Sequence, residues 1–195
     1  MGGEVMRRTF VFALLLGLAT ASVGAEIKKY EAPGNLESEN DIGCVRPAKL
    51  KNTYTPADLY KAVSSCARQN KYEEGAYMFA LAGVYGRYDT LRVADKSAHQ
   101  AVLVLVMQSF GSLDKEKEAA FKESLKKTLG NPDERKQVCK QIDTLGPPAY
   151  YPGYMIQHGM GAFLDKPSEN GLVTDFDSKA AWEKSLDTYL HCKAL

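Results

Sequence analysis

Three histidines and four cysteines bound the chemistry open to this chain: His99, His158 and His191, and Cys44, Cys66, Cys139 and Cys192. No histidine pair has the H-E-x-x-H spacing that presents two imidazoles to zinc, no G-x-S-x-G turn exposes a serine nucleophile, and no G-x-x-x-x-G-K-[ST] loop cradles a phosphate. The sequence therefore predicts no metal site and no cofactor. His99 precedes an apolar run and reads as a helix-surface or hydrogen-bonded core histidine. His191 beside Cys192 does not form a thiolate pair, because adjacent side chains on a helix diverge.

His158 stands apart, in the aromatic, methionine-rich and glycine-rich stretch from Tyr150 to Phe163. Paired with a carboxylate from another helix, it would serve as the acid–base residue of a small hydrolase acting on a cell-wall or extracellular polymer. The acids, however, are mostly interleaved with lysine, as in Asp114-Lys115-Glu116-Lys117-Glu118, a pattern of solvated helix faces. None has the apolar setting that raises a catalytic carboxyl's pKa. The same stretch supports a second chemistry, recognition. Tyr150, Tyr151, Tyr154, Met155, His158, Met160 and Phe163 form a candidate protein-binding set, since tyrosine and methionine offer large contact area with a polar or pliable end. A third reading makes these aromatics a cap on the core where the chain reverses.

An even cysteine count after an export signal reads as two disulfides. Of the three pairings, Cys44 with Cys66 and Cys139 with Cys192 is the expected one: the first tethers a loose N-terminal segment to the first helix, and the second ties back the C-terminal helix. Metal-binding or redox thiols lack the C-x-x-C spacing they would need.

The export signal is the N-terminus itself. Arg7 and Arg8 precede an apolar run from Thr9 to Ala21, and Val23-Gly24-Ala25 supplies small residues for cleavage, so residues 1–25 are expected to be a signal peptide. The run is shorter than the roughly 20 residues that span a bilayer, and no membrane insertion is expected after cleavage. Removing Arg7, Arg8 and Glu4 from the 25 basic and 24 acidic residues leaves 23 of each. That balance argues against nucleic acid as a partner.

The elements that must position these groups are helical. Residues 26–54, rich in Pro, Gly and Asn, read as an irregular extension that packs as a strap or stays mobile, and 55–195 as the helical domain. Thr55-Pro56-Ala57-Asp58 starts the first helix with a capping hydroxyl, a proline at the first position and an acid in the first turn. Further helices are expected over about 72–88, 90–110, 114–129, 131–145 and 177–192, with a short one near 152–164. The helix over 90–110 contains seven consecutive apolar residues, Ala101 to Met107, and is expected to be the central helix of the core. The fold class is all-α: a compact array of five to six antiparallel helices stapled by two disulfides.

Over about 72–107, Gly75-Ala76-Tyr77, Leu81-Ala82, Gly83-Val84-Tyr85-Gly86 and Lys96-Ser97-Ala98 place small residues beside aromatics where two helices would touch. This spacing resembles the helical hairpins of tetratricopeptide repeats, the Sel-one-like variety in particular. The resemblance implies a superhelical scaffold that binds proteins or peptides. Together these features predict an exported, periplasmic, non-enzymatic protein-binding module, foremost an immunity protein that neutralises a delivered toxin or effector. The hydrolase built on His158 and a generic envelope scaffold are the alternatives.

Overall fold

Thr55 opens the helical body with reciprocal caps. Its hydroxyl accepts from the Asp58 backbone N–H at 3.2 Å while the Asp58 carboxylate accepts from the Thr55 N–H at 2.9 Å. Two donors that a helix start would otherwise leave unpaired are thereby satisfied. A computed structural model describes residues 31–164 and 170–194. The expected signal peptide and residues 26–30 lie outside the described residues.

Seven α-helices and four short 3-10 turns, with no strand, make up the described residues: α1 (Pro56–Arg68), α2 (Tyr72–Arg92), α3 (Ala101–Gly111), α4 (Lys115–Gly130), α5 (Pro132–Leu145), the single turn α6 (Gly153–Ile156) and α7 (Ser178–Leu190). The all-α class stands: six longer helices, with the single turn α6 inside the short helix expected near 152–164. The expected helix over 90–110 is three pieces. α2 runs on to Arg92, a 3-10 turn spans Lys96–Gln100, and α3 begins at Ala101.

The centre of the core is α2, not the segment holding the apolar run. α2 packs against α1, α4, α5 and α7 and is buried on nearly every side. Its small residues make that possible: a Cβ built on Gly83 would come within 1.9 Å of the Tyr189 ring of α7, so the two helices approach over a bare backbone. α3 buries only Ala101, Leu105 and Ser109. Seven successive apolar residues surround a helix completely, and a helix on the edge of an array has one face to bury. Leu103 and Met107 are consequently 62% and 63% exposed.

α4, as its composition implies, lies outermost and buries a single side chain, Phe121. That ring meets Phe79 and Phe110 at centroid distances of 6.2 and 5.6 Å, and Phe79 meets Tyr60 at 5.5 Å, the edge and tilted geometries aromatic rings prefer.

The extension is a packed strap from Glu31 on. The Asp58 carboxylate, besides capping α1, accepts from the Ser38 hydroxyl and from the Asn40 backbone and side-chain amides at 2.8–3.0 Å. Both disulfides are those expected, Cys44–Cys66 and Cys139–Cys192.

Candidate protein-binding site

The stretch from Tyr150 to Phe163 divides into an anchored interior half and an exposed half. Asp89, on the last turns of α2, is fully buried and receives both anchors: the Tyr150 and Tyr154 hydroxyls donate to its Oδ2 at 2.9 and 2.8 Å. Its Oδ1 accepts from Arg92 Nε at 2.8 Å. Arg92 Nη2 lies 2.7 Å from the same oxygen, off the line of a hydrogen bond, and its guanidinium sits over the Tyr88 and Tyr150 rings at 5.2 and 5.1 Å. Against the expectation that no acid has an apolar setting, burial pushes the Asp89 carboxyl up from its ordinary range, opposed by Arg92 and the tyrosine hydroxyls, because α2 continues past 88 and carries it into the core. Burial, reinforced by the Asp89 charge, pushes the Tyr150 and Tyr154 hydroxyls well above theirs. A buried ion pair closed on itself in this way fixes a conformation more than it adds stability.

Tyr154 and Met155 are buried, at 4% and 0% exposure, and the part-buried Tyr150 has its hydroxyl committed to Asp89, so these three members of the candidate binding set act as structural anchors. His158 is half-buried, and its Nδ1 lies 2.9 Å from the Asn35 side-chain oxygen. The Asn35 amide nitrogen donates to Glu31 at 3.1 Å, which orients that oxygen toward the imidazole and places a proton on Nδ1. The direct partner of His158 is thus an amide of the strap, where a hydrolase would need a carboxylate. His99, for its part, bonds through Nε2 to the Val93 carbonyl at 3.0 Å, as a hydrogen-bonded structural histidine does.

Tyr151, Met160 and Phe163 are exposed, together with Leu164, which the sequence did not single out; the four range from 48% at Phe163 to 69% at Met160. Met160 and Phe163 lie on one 3-10 turn, where side chains three apart stack over one another. The turn is pinned from below. The Gly161 N–H donates to Asp95 Oδ2 at 2.7 Å, the Met160 N–H donates to the Ser97 hydroxyl at 2.8 Å, and that hydroxyl donates to Asp95 Oδ1 at 2.6 Å. Gly159 is required for this approach, since a Cβ there would stand 2.3 Å from Asp95 Oδ2. The Lys96–Gln100 turn that carries Ser97 leads directly into α3 and its exposed Leu103 and Met107. Asp95 and Ser97 escaped sequence reasoning. Their signal was Asp95-Lys96-Ser97, a short acidic cap ahead of a turn.

The Ser97 hydroxyl, and after it the Gly161 and Ser97 amides, hold the Asp95 carboxyl below the usual aspartate range. A carboxyl lowered in the fold contributes stability that is complete above its unfolded pKa of about 3.9 and is lost as pH falls through the lower folded value. Acidification below about pH 4 is therefore expected to release the Met160–Phe163 turn, read as faster amide exchange at Met160 and Gly161. Exchange that stays unchanged there down to the onset of global unfolding would disprove the pin.

No group of three or more His, Cys, Asp and Glu side chains converges as metal ligands would among the described residues, and none of the described helices is long and apolar enough to cross a membrane. The two disulfides fit an oxidising compartment. No protein-family model, no curated protein and no solved structure matches this chain.

Proposed function

We propose that this protein is an exported, disulfide-stapled, non-enzymatic module that grips another protein through the rim of Tyr151, Met160, Phe163 and Leu164. The observation that carries the reading is a 3-10 turn whose backbone is clamped by Asp95 and Ser97 while its large apolar side chains face solvent. A single exposed apolar residue is ordinary, but two large ones stacked on a backbone-pinned turn mark a surface that gains energy when a partner covers it. Holding the turn in place beforehand removes part of the ordering cost of binding.

Export is supported by the leader-like residues 1–25 and by the disulfides. A small, formally neutral exported chain of this kind suits the neutralisation of a toxin or effector delivered into its compartment, with the rim occluding the toxin's working surface. A generic envelope scaffold would use the same rim.

The test is capture of a stoichiometric protein from envelope and secreted extract on the oxidised mature chain, followed by titration of that protein against Met160→Ala and Phe163→Ala. Each substitution is expected to weaken binding by more than about 1 kcal/mol, roughly fivefold or more in Kd, if these side chains are anchors. An unchanged Kd in both variants removes the rim from the site, and the absence of any partner overturns the binder reading.

A further inference from the structure

A second surface lies apart from the rim. The 3-10 turn of the strap (Pro47–Lys49), the first turns of α2 and the outer face of α5 enclose an open groove of about 870 Å³. Its floor is apolar, with Leu50, Tyr77 and Leu145, and its charged margin is Arg46, Lys49 and Lys140. No carboxylate lines this part of the groove. Among the described residues none of the three cations has an ion-pair or hydrogen-bond partner for its side chain. Tyr77 is 5% exposed, yet its hydroxyl makes no hydrogen bond among the described residues. The hydroxyl itself is not sealed from solvent, so at the floor of the groove it is a donor open to an acceptor on a bound chain. Burial pushes this hydroxyl up to about 12, so at neutral pH it stays protonated and keeps a proton to donate.

Beyond Tyr77 the groove continues into a second depression, where Glu74 and Glu134 lie and Glu73 stands 3.9 Å from Lys127. Arg46 and Tyr77 line both depressions, and Lys127 joins the glutamates in the second, so the part that is basic without carboxylates is the one between Lys49 and Lys140. A channel with an apolar floor and charge at its end suits an extended chain segment better than a compact solute.

We infer that this groove binds an extended acidic peptide segment of another protein, its apolar side chain over Leu50 and Leu145, an acceptor on the Tyr77 hydroxyl and its carboxylates against Arg46, Lys49 and Lys140. The inference does not depend on the rim: a peptide bound here is unaffected by Met160→Ala and Phe163→Ala, so the two sites fail separately.

The test uses the oxidised mature chain and the fluorescein-labelled peptide Leu-Ser-Leu-Asp-Glu-amide, followed by fluorescence anisotropy at low and high salt. Two controls replace either both acids with lysine or both leucines with alanine. Saturable binding of the acidic peptide is expected, weakened by salt, lost in both control peptides, and reduced at least tenfold by Lys49→Glu with Lys140→Glu. Tyr77→Phe, which removes one oxygen and leaves the packing, is expected to weaken it several-fold with an unchanged melting temperature. No saturable binding up to about 1 mM, equal binding of the lysine peptide, or an unchanged Kd in both variants overturns the inference.

Discussion

Asp89→Asn is expected to destabilise the protein by about 3–5 kcal/mol, because it removes the carboxylate that pairs with the buried Arg92 guanidinium. The substituted amide keeps the shape of the carboxylate but turns its NH₂ toward either the Tyr150 and Tyr154 hydroxyls or Arg92, all of them donors in the native arrangement. The hydroxyls can rotate and accept; the guanidinium, enclosed between the Tyr88 and Tyr150 rings, has no such choice. For a domain of this size the loss corresponds to a fall of about 10 °C or more in melting temperature, read by calorimetry. The discriminating variant is the double substitution Asp89→Asn with Arg92→Met, which removes the stranded charge as well. It is expected to be more stable than Asp89→Asn alone. A double variant as unstable as the sum of its parts would show that the pair is not coupled and that the cost lies in the tyrosine bonds.

This network also shows where reading the sequence stops. The expected helices over 72–88 and 90–110 put a break at Asp89, so its i, i+3 pairing with Arg92 on one continuous α2 was not foreseen. Their targets, Tyr150 and Tyr154, lie 61 and 65 residues from Asp89, and nothing local announces that encounter. The tyrosines therefore looked like recognition residues when two of the three, Tyr150 and Tyr154, are fasteners. What makes the neighbouring residues a candidate surface is that the fastening leaves Tyr151, Met160 and Phe163 outside.

Local signals carried through where the physics is local. Thr55-Pro56-Ala57-Asp58 caps α1 as its residue types dictate, and Asn131, ahead of Pro132, accepts from the Asp133 and Glu134 amides at 2.9 and 3.1 Å. The run from Ala101 to Met107 misled for the opposite reason. Hydrophobicity states how much surface gains from burial, not which helix is in a position to bury it. The residues that place α2 at the centre are Gly83 and Gly86, which admit Tyr189 and Val102 against the backbone, and small residues carry a weaker signal than large apolar ones.

Loss of both disulfides is the largest destabilisation expected. The bridges close loops with sequence separations of 22 and 53 residues. In the chain-entropy model these loops contribute about 3 and 4 kcal/mol. The loops do not overlap in sequence, so their effects on the unfolded chain should add to about 7 kcal/mol, a large share of the 5–15 kcal/mol typical of a domain. Each pair should also have a local signature. With Cys44→Ser and Cys66→Ser the strap keeps the Asp58 bonds and the buried Leu50, so the expected loss is near 3 kcal/mol, with amide exchange rising across the strap that walls the groove. With Cys139→Ser and Cys192→Ser, α5 keeps the Trp182 indole bond to Asp143 at 3.0 Å but loses its covalent tie to the end of α7. The expected loss is near 4 kcal/mol, with exchange rising at the end of α7. Urea titration of the oxidised chain, the two serine pairs and the fully reduced chain checks both values and their sum. A fully reduced chain as stable as the oxidised one would mean that packing around α2 already confines the ensemble the bridges are expected to restrict, and that their stabilising role is negligible.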